Sequence, residues 1–146
     1  MKNQFLEVID VPWSDRPNSW ECTVRFKNDK ESSFSCFLDE GYIPVKGEIL
    51  EIESFSLWEL GGDEDPEWYY IDNNPTKVKD IKETGEWKCL LFGQIIEHEL
   101  EGHIAIVDCG GIHFELEGYA GDRACIGDWI GAKIDRLDVN LPLVSQ

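Results

Sequence analysis

Alternation of apolar and polar residues, occurring twice at a fixed spacing, constrains this chain more than any other feature. In Glu21-Cys22-Thr23-Val24-Arg25-Phe26-Lys27 every second residue is apolar, which is the pattern of a strand with one buried face. Ser33-Phe34-Ser35-Cys36-Phe37-Leu38 follows with a similar alternation. Folding the two around Asp29-Lys30-Glu31 sets Phe26 against Phe34, Val24 against Cys36 and Cys22 against Leu38, all on one face. The pattern returns 80 residues later, in His103–Asp108 and Ile112–Glu117. Folded around Cys109-Gly110-Gly111, a three-residue loop with glycine at its left-handed position, these set Ile106 against Phe114 and Ile104 against Leu116. A slip of one residue would bring Ile104 and Ile106 opposite Glu115 and Glu117, which argues for the first register.

The segment after each hairpin also corresponds. Gly47-Glu48 and Gly127-Asp128 each open an apolar run. Leu50 and Ile52 share one face, then Phe55 and Leu57 take the opposite parity. Ala132 and Ile134 share a face, and Leu137 and Val139 change parity in the same way. The offset is now 82, so the second half carries a two-residue insertion. A parity change inside a strand marks a bulge, which bends a sheet toward closure.

Further strands are expected at 5–11, after which Pro12, Pro17 and Asn18 mark a loop. Others are expected at 48–60, at 67–71 by aromatic enrichment, and near 87–97, 103–108, 112–117 and 128–139. Thr76 to Glu86 is polar and reads as a connector with at most one helical turn. No amphipathic helix is visible. The expected architecture is all-β: two similar small β-barrel or β-sandwich halves packed as one compact unit, with little helix. The first half spans 1–75, the connector 76–86 and the second half 87–146. Each half resembles the meander of an oligonucleotide/oligosaccharide-binding barrel, with a long first strand, a tight hairpin, a loop and a returning strand. The stretch Gly127-Asp128-Trp129-Ile130-Gly131-Ala132-Lys133-Ile134-Asp135-Arg136-Leu137-Asp138 resembles the closing strand of such folds.

Charge narrows the function. Thirty acids against 13 bases leave a formal charge of -17. Nucleic acids and anionic membranes are thereby disfavoured as partners, since both require a basic footprint. The start, Met1 to Glu7, lacks the apolar core of a signal peptide, and no run reaches the ~20 apolar residues of a membrane span. A cytoplasmic protein is expected. Five cysteines without a C-x-x-C pair read as small buried hydrophobes in a reducing compartment. Of His98, His103 and His113, the two on the second hairpin face Glu117 (His103) and Val107 (His113), positions too far apart to share a tetrahedral metal, so neither metal nor cofactor is expected. The sequence has no G-x-S-x-G, H-E-x-x-H or P-loop pattern.

The acids also cluster. Glu59, Asp63, Glu64, Asp65 and Glu67 crowd one turn beside Trp58, Trp68 and Tyr69. Glu97, Glu99 and Glu101 recur at every second position, so an extended backbone would present all three on one face. Trp20, Trp87 and Trp129 read as core. Aromatics beside carboxylates supply desolvated anchors next to a steering field. The expectation is a non-catalytic acidic protein that occludes the cationic site of a basic partner. In size and charge it is similar to bacterial immunity proteins that neutralise nuclease toxins, and to inhibitors that mimic DNA. The alternatives are a small β-barrel enzyme with a carboxylate or histidine site, and an oligomerising structural module.

Overall fold

The computed structural model describes residues 3–14, 21–58, 74–99, 101, 103–116 and 125–142, and the backbone of 67–69. The fold is all-β. In the first half run β1 (Gln4–Glu7), β2 (Asp10–Ser14), β3 (Glu21–Lys27), β4 (Ser33–Asp39), β5 (Ile49–Ile52) and β6 (Ser54–Trp58). Next come β7 (Glu67–Tyr69) and β8 (Asp80–Gly85). The second half holds β9 (Lys88–Glu99), β10 (Ile104–Asp108), β11 (His113–Leu116), β12 (Trp129–Ile134) and β13 (Arg136–Asn140). No helix among the described residues is long and apolar enough to cross a membrane.

The first hairpin takes the register its alternation dictates: β3 and β4 pair Phe26 with Phe34, Val24 with Cys36 and Cys22 with Leu38. All six side chains are fully buried. Asn28 N donates to Ser32 O and closes the loop.

The second hairpin departs from expectation by one residue. Ala105 pairs with Leu116, Ile106 with Glu115 and Val107 with Phe114. The cause is the turn. Cys109 N donates to Ile112 O, so the chain reverses over Gly110-Gly111 alone. Their φ values of 96° and 84° have the sign that both central positions of a type I′ turn require. Asp108 Oδ1 accepts from the amides of Gly110 and Gly111 and holds the turn. Ala105 and Val107 then enter the core in place of Ile104 and Ile106. The penalty expected of this slip is avoided because Ile106 is itself fully buried, outside the core cluster.

The segments after the hairpins match bond for bond. Val8 N donates to Glu48 O, and Ile95 N to Asp128 O. Gly47 N donates to Val8 O, and Gly127 N to Ile95 O. Glu48 N closes a turn on Val45 O, as Asp128 N does on Cys125 O. Each turn's acid then accepts the amide of the turn's first residue, Val45 or Cys125. Gly47 and Gly127 carry φ of 90° and 96°, which the third position of a type II turn needs. By this equivalence the β1–β5 ribbon, with Glu7 opposite Ile49, corresponds to the β9–β12 ribbon, with Gln94 opposite Trp129. β5 has 4 residues and β12 has 6, which locates the two-residue insertion. Both returning strands break where parity changes, at Glu53 and at Asp135.

After those breaks the halves interlock. β6 and β13 pair antiparallel with Asp138 opposite Ser56, Trp58 opposite Arg136 and Ser54 opposite Asn140. Ser56 and Asp138 are equivalent positions, so this ladder is symmetric about its own centre. The flanking bonds obey the same symmetry: Glu53 N donates to Asn140 O and Asp135 N to Trp58 O. β13 then lies parallel to β4, with Asp138 opposite Phe37. The first half's hairpin is thus completed by the second half's closing strand. One cluster of buried residues draws on both halves. Its aromatic centre is Phe26, Phe34, Phe55 and Phe114, with Phe55 and Phe114 centroids 4.8 Å apart.

Three local expectations change. Pro12 lies inside β2, at the irregularity between Asp10 and Trp13, where no ladder amide is required. The stretch 76–86 carries strand β8, which pairs with β9, and not a helical turn; only Ile81 of it is buried, so apolar alternation could not reveal it. Cys22, Cys36, Cys89 and Cys109 are buried as expected, but Cys125 is exposed in its turn. Burial pushes the Cys89 thiol up to about 12.

If the two turns are equivalent, Gly47→Ala and Gly127→Ala should each lower stability by a similar ~1–2 kcal/mol, because both force a side chain into the left-handed region. Neither added Cβ meets a neighbour. Gly93→Ala should be worse, roughly 3 kcal/mol or more, because its Cβ would fall 2.4 Å from Asp108 O. Urea midpoints of the three variants measure this directly. A loss confined to one of the two turn glycines would contradict the equivalence.

Candidate docking surface

The acidic cluster picked out first in the sequence falls largely outside the described residues: Glu59, Asp63, Glu64 and Asp65 are not among them. Glu67, Trp68 and Tyr69 form β7, whose backbone pairs with Lys133, Ala132 and Gly131 of β12. Trp58 ends β6 and is 39% exposed.

Glu97 and Glu99 alternate along β9, opposite Ile106 and Ile104. Glu115 lies across Ile106 on β11, so Glu97, Ile106 and Glu115 form one cross-strand row. Glu101 does not continue it: it follows the strand with φ of 57°, and that conformation ends the alternation. Trp87 and Trp129 are half-buried, not core. Each carries a cation, with Arg136 5.7 Å from the Trp87 ring centroid and Lys79 5.9 Å from that of Trp129. Trp87 also donates from Nε1 to Thr23 Oγ1. His113 stands opposite Asp108, not Val107, a consequence of the shifted register.

The structure adds a surface that sequence reading missed. In the β1–β5 ribbon, Gln4 and Leu6 turn inward while Phe5 and Glu7 turn outward, as do Ile49 and Glu51. Phe5 stands opposite Glu51, and Glu7 opposite Ile49. The outer face is therefore a square of two apolar side chains on one diagonal and two carboxylates on the other. Phe5 is 66% exposed and Ile49 59%. Asn3 Nδ2 donates to Glu51 Oε2 at 2.8 Å. Gln4, on the inner side, fastens the ribbon to the second half: its side-chain amide donates to His113 O and accepts from His113 N. Four-residue β5 gives only a short alternating signal, which is why this face was not legible as a separate feature.

Like charges also crowd just past the end of β4. Burial, together with Asp39 and Glu53, raises the pKa of Glu40 above its ordinary value, against the lowering effect of a bond from the Leu141 backbone.

A shallow cavity of about 220 Å³ lies where the two hairpin tips meet, lined by Lys27, Asn28, Asp29, Gly110, Gly111 and neighbours. Asp29 N donates to Gly110 O across this junction. Beneath it, buried Asn28 donates to Asp80 Oδ1 and Cys109 O, and Ser32 Oγ donates to the same Asp80 oxygen at 2.6 Å. Burial alone would raise the pKa of Asp80. The bonds from Ser32, Asn28 and the Ile81 amide outweigh it and hold the carboxyl below its ordinary 3.8. This arrangement ties the tips to β8, and its polar groups are already partnered within the fold.

A second buried asparagine, Asn74, repeats the Asn28 turn. Its Oδ1 accepts from Val78 N as Asn28 Oδ1 does from Ser32 N. Lys77 and Glu31 sit at the corresponding positive φ. Asn74 Nδ2 donates to Val78 O and to Ile130 O, which seats the 74–78 turn against β12.

The chain matches no family model, no curated protein and no solved structure.

Because the folded-state pKa of Asp80 is depressed, its stabilisation is complete above the unfolded value of about 4. It is lost as pH falls through the lower folded value. Asp80→Asn should cost about 1–2 kcal/mol near neutrality and flatten the wild-type fall in stability below about pH 4. Urea titrations of both proteins across that range check this; a constant difference between them at every pH would contradict it.

Proposed function

We propose that this is a non-catalytic acidic binding protein that neutralises a basic partner protein by covering its cationic site, in the manner of an immunity or inhibitor protein. The observation that carries the reading is the carboxylate excess. Thirty acids cannot be neutralised by 13 bases, and at Glu40 the carboxylates of Asp39 and Glu53 add to the effect of burial in raising the pKa. Self-repulsion of this kind destabilises the compact state, and an incoming positive surface relieves it. The same field speeds encounter with a basic protein and is screened by salt. Exposed apolar side chains set among these carboxylates supply contact area that charge alone does not. In this reading the protein acts in the cytoplasm of a bacterial cell that must withstand its own basic toxin, a nuclease being the class whose site is most cationic.

Affinity capture from the source cells, with wild-type protein and with a Glu40→Lys/Glu53→Lys variant, tests it. One basic protein should be retained at a fixed stoichiometry, and its affinity should fall about tenfold or more between roughly 0.05 and 0.3 M salt. The variant should bind more slowly, and the captured protein's own activity should be blocked in the complex. Retention that is indifferent to salt and to charge reversal would overturn the reading.

A further inference from the structure

The two equivalent ribbons differ in what lies on them. In the second half, the positions matching Phe5 and Ile49 are Phe92 and Trp129, both half-buried. The segment leading into β8 lies against that ribbon: Asn74 donates to Ile130 O, and the Lys79 ammonium stands 5.9 Å from the Trp129 ring centroid. Lys79 is neutralised there by Asp108 at 3.1 Å. The chain therefore covers its second ribbon with an irregular, lysine-bearing segment of its own, Asn74-Pro75-Thr76-Lys77-Val78-Lys79. On the first ribbon the matching apolar pair stays open to solvent, and the other diagonal carries Glu7 and Glu51.

We infer that the outer face of the β1–β5 ribbon docks an irregular or extended, lysine- or arginine-bearing segment of the partner protein, in the place that residues 74–79 occupy on the equivalent ribbon. This rests on the reading of the protein as a binder of a basic partner and names the surface used. The segment's aliphatic and apolar groups cover Phe5 and Ile49. Its cations lie between Glu7 and Glu51, so the charge at this face selects a basic occupant over an acidic one. A lysine stem suits such a site because it covers apolar surface while its ammonium reaches a carboxylate.

The test uses the full chain, isotopically labelled, titrated at low salt with a blocked synthetic peptide of sequence Asn-Pro-Thr-Lys-Val-Lys. Saturable shifts should centre on the amides of Phe5, Leu6, Ile49, Leu50 and Glu51. A Phe5→Ala/Ile49→Ala variant, altered only at exposed side chains, should bind about tenfold more weakly with its melting temperature unchanged. The same peptide with glutamate in place of both lysines should produce no shifts. Shifts scattered over the protein's carboxylates and equal in the variant would overturn this surface while leaving the acidic-binder reading standing. Absence of any shift would overturn it as well. A captured basic partner that binds wild type and the variant equally would do the same without touching the broader reading, which fails if no basic partner is retained or if retention is indifferent to salt and to charge reversal.

Discussion

The antiparallel pairing of β6 with β13 is the contact on which the rest of this structure depends. Its register is symmetric about Ser56 and Asp138, so each half reaches the other through an equivalent strand. Neither half closes alone. β4 takes β13 from the second half as its parallel neighbour, and Phe114 of the second half packs on Phe34 and Phe55 of the first. Burying a phenylalanine contributes about 1.5–3 kcal/mol, so the four-ring cluster alone is comparable with the whole net stability of a typical domain. The two halves contribute to it jointly.

This construction explains how a small protein carries a net charge of -17. Apolar alternation is used on the inward faces, and the outward faces carry acids with a few exposed apolar side chains among them. Where a carboxylate is drawn inward, as at Asp80, several donors converge on it. Where only one backbone bond offsets burial, as at Glu40, burial and the neighbouring carboxylates raise the pKa above its ordinary value. Near-symmetry then makes an asymmetry informative. One ribbon is occupied by a segment of the chain, and its counterpart presents Phe5 and Ile49 to solvent.

Much of this fold was legible in the sequence, for identifiable reasons. The first hairpin's register could be read because Cys22, Val24, Phe26 and their partners fit only one face. The breaks at Glu53 and Asp135 could be read because parity changes at both. The second hairpin could not, since Gly110-Gly111 permits a two-residue reversal and Ile106 finds burial on the other face. Strand β8 was hidden because it buries one residue. The kinship of β1 with β9 was hidden because its offset is 87, where the hairpins differ by 80, with Phe5 and Phe92 the one identity in the four paired positions 5–8 and 92–95. The passage of β13 to the side of β4 leaves no local trace at all, since a parallel neighbour so distant in sequence imposes no pattern on either strand. The acidic character was plain from composition. The face that pairs acids with exposed apolar groups needed the β1–β5 register to be seen.

Native-state hydrogen exchange tests the interlocked core most directly. If the halves fold as one unit, the amides of Phe55, Leu57, Leu137 and Val139 should exchange only through global unfolding. The most protected amides of β3 and β9 should then converge on that same opening free energy. Protected amides in β9, β10 and β12 that open several kcal/mol more easily than those in β3 and β4 would show that the halves come apart, and would contradict this account.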